Sequence, residues 1–86
     1  MHEMSVALEV CRIAETKVGR HNLDQVVTIA LDVGTESGIE AANLDFCLGV
    51  LLKAPPFASA KPVIEIVPGD VLAVRYLEVD DGRPNN

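Results

Sequence analysis

Apolar residues near the start of the chain recur at helical spacing. Val6, Val10, Ile13 and Val18, with Ala7, Cys11 and Ala14 beside them, form one stripe, and Glu9, Arg12, Thr16 and Arg20 take the opposite side. The pattern predicts an amphipathic helix over residues 5–19, with Ser5 as its N-cap and Gly19 to Asn22 as its stop. Val26 to Val33 then runs as VVTIALDV, a β-branched segment whose Val27, Ile29, Leu31 and Val33 share one phase, and reads as a strand. Gly34-Thr35-Glu36 breaks it. Ser37-Gly38-Ile39-Glu40 has the form of a capping box, opening a second helix that turns Leu44, Leu48, Leu51 and Leu52 inward and runs to about Lys53 before Pro55 and Pro56 end it. Pro62 to Val67 and Val71 to Val79 read as two further strands, joined by Pro68-Gly69-Asp70 as a hairpin. In the last strand Leu72 and Val74 lie in one phase and Leu77 and Val79 in the other, which a β-bulge near Arg75–Tyr76 reconciles.

The predicted order is αβαββ, an α+β or split βαβ fold. Two helices pack on one face of a three-stranded mixed sheet. The other face is expected to be either exposed or used in association, where it and the sheet edges would favour a homodimer.

Composition narrows the function classes. At 86 residues the chain is one domain, and at 49% apolar residues it is globular. The formal charge of −6, from 13 acidic and 7 basic residues, argues against nucleic acid and anionic membranes as partners, since both require basic patches. Carboxylates such as Asp45, Glu65, Glu78, Asp80 and Asp81 are scattered and read as solvated surface. No run approaches the roughly 20 apolar residues of a membrane span. The first residues lack the basic and apolar regions of a signal peptide, so a cytoplasmic protein with reduced thiols is expected. Cys11 and Cys47 stand apart from any CxxC pair or Cys/His cluster, so no structural zinc is expected, and Cys11 falls on the apolar stripe as an inert thiol.

Catalytic readings find little support. Gly34-Thr35-Glu36-Ser37-Gly38 resembles a nucleophile elbow, but Ser37 falls one place late for GxSxG. No P-loop is present. A thiol–imidazole pair of Cys47 with His21 competes with a simpler reading, in which Cys47 packs in a core helix and His21 follows a helix end. The N-terminus offers different chemistry. Initiator methionine is removed when the second residue is small, and His2 is large, so Met1 is expected to stay with its free amine. Amine, imidazole and main-chain amides then lie within three residues, before the predicted helix takes up the amides. Adjacent nitrogen donors of this kind suit square-planar Ni(II).

The same opening, Met1-His2-Glu3-Met4-Ser5 leading into a helix, resembles the HypA/HybF family of hydrogenase maturation nickel chaperones. LDVGTESGIEAANLDFCLGVLLK (Leu31–Lys53) is similar to the strand–Gly-x-x-Ser-Gly–helix segment of that family, and VLAVRYLEVDDG (Val71–Gly82) to its final strand. The resemblance implies nickel binding by Met1, His2 and Glu3. His2 would supply its imidazole, Met1 its amine, and the His2 and Glu3 amides the remaining nitrogens. It implies delivery of Ni(II) through a HypB-type GTPase to the large subunit of [NiFe] hydrogenase, or to urease. Family members carry a zinc domain with two CxxC pairs between the last two strands, whereas here Pro68-Gly69-Asp70 joins them directly. Glu36 and Ala54-Pro55-Pro56 are smaller departures. The expected organisation is a nickel-binding HypA-like domain over residues 1–79 and a polar tail over 80–86. A metal-free adaptor descended from the same family is the alternative, and an enzyme using Cys47 or a carboxylate is the third reading.

Overall fold

The computed structural model describes residues 3–80. Helix α1 spans Glu3–Val18, a 3-10 segment Arg20–Gln25, strand β1 Val26–Gly34, helix α2 Ala41–Leu52, strand β2 Lys61–Val67 and strand β3 Leu72–Val79. This is the expected αβαββ order, an α+β fold with two helices and a three-stranded mixed sheet, with the 3-10 segment added where a simple turn was expected. His21 lies in that segment and is exposed.

Helix α1 begins at Glu3, two residues before the expected cap. Ser5 is therefore an exposed residue of the first turn. The helix buries Val6, Ala7, Val10 and Ala14, as its stripe predicts. It stops where the sequence indicated. Gly19 takes φ 86°, a left-handed conformation that suits glycine, and the Asn22 amide donates to the Val18 carbonyl at 2.7 Å.

Strand β1 is the centre of the sheet, in the order β2-β1-β3. It pairs parallel with β2, from Thr28 opposite Lys61 to Gly34 opposite Val67, and antiparallel with β3. The hairpin expected between β2 and β3 does not form: each strand pairs with β1 on its own side. The reason lies in burial. Ile29, Leu31 and Val33 of β1 are almost wholly buried, whereas every residue of β2 and β3 is partly or fully exposed, so β1 takes the doubly flanked position. Helix α2 makes the crossover that a parallel pair requires.

The chain then passes from β2 to β3 over the C-terminal end of β1. Residues 68–71 form a strap across two strand spacings, about 10 Å. The strap is held by main-chain bonds: Gly34 N–H to the Val71 carbonyl at 2.6 Å, Thr35 N–H to Val67 at 2.8 Å and Glu36 N–H to Gly69 at 2.9 Å. A Cβ on Gly34 would lie 2.1 Å from the Gly69 carbonyl oxygen, so the crossing requires glycine at this position. The expected bulge in β3 is present. Ala30 faces Tyr76 and Leu31 faces Val74, leaving Arg75 as the extra residue.

The capping box also differs. Helix α2 starts at Ala41, with Glu40 as its N-cap, and Ser37 Oγ accepts the Ile39 N–H at 3.2 Å. Ile39 is buried, and seating it in the core goes with an extended Glu40 and a delayed helix. The inward residues of both helices, with Ile29, Leu31 and Val33, make one core, in which Leu44, Leu48 and Leu52 are fully enclosed. The outer sheet face carries Thr28 bonded to Glu78, and Arg75 paired with Asp32 and with Glu65, so these carboxylates have cross-strand partners.

Candidate metal centre

Of the three residues expected to hold a metal, Met1 and His2 lie outside the described residues, and Glu3 lies within them. Glu3 opens α1, yet its side chain serves α2. Its Oε2 accepts the Glu40 main-chain N–H and its Oε1 the Asn43 side-chain amide, both at 3.1 Å. Glu40 makes no side-chain cap of its own. A carboxylate from one helix thus caps the other, where the unpaired N–H groups and the positive end of the helix dipole favour negative charge. The same bonds hold the Glu3 carboxyl below its ordinary pKa, chiefly the Glu40 N–H, with the N–H of Glu3 itself and the Asn43 amide adding.

This contact brings the N-termini of the two helices together. It lay beyond sequence reasoning because Glu3 and Glu40 are 37 positions apart. The earlier start of α1 leaves the Glu3 amide outside the helical ladder, since the first four N–H groups of a helix have no main-chain partner within it; its N–H is shared with the Glu3 carboxylate instead. Glu3→Ala is expected to raise the hydrogen-exchange rate of the Glu40 amide while leaving the fold intact, and Glu3→Gln to keep part of the protection. Equal protection in all three proteins would show that the bond contributes nothing.

The alternative chemistry does not assemble. Cys47 is buried in α2 while His21 is exposed in the 3-10 segment. Cys11 is half-buried, and burial pushes its thiol pKa up, away from the reactive thiolate. Among the described residues, no three His, Cys, Asp or Glu side chains converge as a metal site. No helix among them is long and apolar enough to cross a membrane. A groove of about 460 Å³ between α1 and β3, lined by Ile13, Lys17, Val18, Val74 and Leu77, was not visible in the sequence. It lies by the last turns of α1, away from Glu3.

Comparison with known proteins decides the family. The HypA family model, described as hydrogenase/urease nickel incorporation, metallochaperone, matches residues 1–73. The chain belongs to the HypA family. The hydrogenase maturation factor HypA of Paracoccus denitrificans is 31% identical over 86 residues, covering 94% of this chain and 74% of that protein. Its counterpart in Chlorobaculum parvum is 37% identical over 65 residues, 76% of this chain and 58% of that one. That of Azoarcus sp. strain BH72 is 36% identical over 69 residues, 80% of this chain and 60% of that one. The chain thus spans between about three fifths and three quarters of the length of these relatives. No solved structure matches. HypA proteins are maturation factors and metallochaperones, not enzymes. The strap of residues 68–71, which joins β2 to β3, contains no cysteine.

Proposed function

We propose that this chain binds one Ni(II) through Met1, His2 and Glu3 and supplies it to the maturation of a nickel enzyme. The Met1 amine, the His2 imidazole and the His2 and Glu3 amide nitrogens form the donor set. The observation that carries this reading is the Glu3 contact. With its carboxylate engaged by Glu40, Asn43 and its own N–H, Glu3 would contribute its main-chain nitrogen by giving up only the last of these bonds, at a point where two helix N-termini meet. Amide nitrogens bind nickel only when deprotonated. The positive ends of the helices favour the negative charge that deprotonation leaves.

Delivery runs through a HypB-type GTPase to the large subunit of [NiFe] hydrogenase, with urease as the other target class. The setting is the cytoplasm, whose reducing conditions suit two free thiols. Calorimetric titration of nickel into the chain beginning with its own Met1 tests the reading, with one site per chain as the expected result. A chain that takes up no nickel, yet still captures the GTPase, would be the metal-free adaptor instead. Zinc is expected to be substoichiometric in the purified protein, because no CxxC pair is present to hold it. One tightly held zinc per chain by elemental analysis would overturn that expectation.

A further inference from the structure

Helix α2, AANLDFCLGVLL, contains a single charged residue. A helix this apolar is normally enclosed on all sides. Here Leu44, Cys47, Leu48 and Leu52 are buried, but Phe46 is 69% exposed and Val50 50% exposed. Between them lies Gly49. Glycine inside a helix is destabilising relative to alanine. A Cβ on Gly49 would meet nothing within 4 Å, and its φ is ordinary, so nothing inside the molecule calls for glycine. The outer face of α2 thus has a large ring beside a notch.

The charges around the notch are self-complementary. Asp45 lies four residues before Gly49 and Lys53 four residues after it. Both are exposed, and neither has an ion pair or side-chain hydrogen bond among the described residues. When two copies of the helix cross antiparallel about a two-fold axis at Gly49, Asp45 of each copy faces the partner's Lys53. The open sheet face also exposes Val63 and Tyr76, on either side of Ala30, but charge and irregular backbone surround them. That face carries the Arg75 ion pairs, Pro62 removes a donor from β2, and the bulge at Arg75 interrupts β3.

We infer that the chain forms a two-fold homodimer through α2, with Gly49 at the helix crossing, Phe46 and Val50 enclosed, and Asp45 paired with the partner's Lys53. A two-fold contact uses the same patch on both copies, as this patch allows. The inference is independent of nickel binding.

Sedimentation velocity on the full chain, from micromolar to millimolar concentration, tests it. A monomer–dimer equilibrium is expected. Asp45→Lys and Lys53→Asp should each weaken the dimer by roughly tenfold or more by opposing like charges, and the double variant should recover most of the loss. Phe46→Ser should weaken it without restoration by either charge change. Far-UV circular dichroism confirms that these exposed substitutions leave the fold intact. A chain that stays monomeric at millimolar concentration overturns the inference, and leaves the face to a different protein. So does a dimer indifferent to these substitutions, or charge reversals that fail to compensate one another.

Discussion

Gly34→Ala is expected to lower the melting temperature by roughly 10–20 °C. The alanine Cβ would lie 2.1 Å from the Gly69 carbonyl oxygen and 2.5 Å from the Val71 nitrogen. Both are main-chain atoms of the strap, so no side-chain rotation relieves the overlap. The strap must lift, and the bonds from Gly34, Thr35 and Glu36 to Val71, Val67 and Gly69 lengthen or break. Overpacking of this kind costs about 1–3 kcal/mol, and each lost internal hydrogen bond adds to it. A domain of this size holds only about 5–10 kcal/mol in reserve. Thermal unfolding followed by circular dichroism measures the loss, and hydrogen exchange locates it. Protection should fall first in β3 and at residues 34–36, because the strap links β3 to the rest of the sheet. A melting temperature within roughly 2 °C of the parent protein would mean that the strap moves aside freely.

The strap also marks the limit of what periodicity could reveal. The phase of Ile29, Leu31 and Val33, the bulge in β3 and the helical stripes all follow from side-chain alternation, which is a local property. Which strand occupies the centre is not local. Pro68-Gly69-Asp70 suits either a tight hairpin or a strap over a third strand, and the choice depends on a close approach between Gly34 and Gly69, 35 positions apart. The cue was Gly34 itself, closing a strongly apolar strand, but a glycine there also reads as an ordinary break. The capping box failed for a related reason. Ser37 and Glu40 had the right spacing, yet burial of Ile39 outweighed a local hydrogen bond and passed the cap to Glu3. In the candidate site, the proposed donors are named by Met1-His2-Glu3 through its resemblance to the HypA family. The second task of Glu3 could not be read there, because its partners Glu40 and Asn43 are brought near only by helix packing.

The nickel site should be destroyed by changes on either side of the imidazole. His2→Ala is expected to weaken nickel binding by roughly a hundredfold or more, about 3 kcal/mol. A short Gly-Ser extension ahead of Met1 should do the same, although it leaves His2 in place. The argument rests on ligand chemistry. One exposed imidazole holds nickel loosely. An amine, an imidazole and two amides in succession form fused chelate rings, in which each bond after the first costs little further entropy. Moving the amine two residues away breaks that sequence, so the extended chain keeps only weak binding. Because the amides must lose protons, binding should release them, and affinity should fall steeply as pH is lowered. Square-planar Ni(II) should be yellow and diamagnetic, unlike the six-coordinate ion. Glu3→Ala should retain the site, because the donor assigned to residue 3 is its main-chain nitrogen. His21→Ala should also leave it unchanged, since His21 lies beyond the far end of α1, roughly 24 Å away at 1.5 Å per residue. Calorimetry with the absorption spectrum decides the matter. If the extended protein binds nickel as tightly as the parent and gives the same spectrum, the terminal amine is not a ligand. If Glu3→Ala alone abolishes binding, the carboxylate leaves Glu40 to join the metal, and the assignment of Glu3 through its amide is wrong.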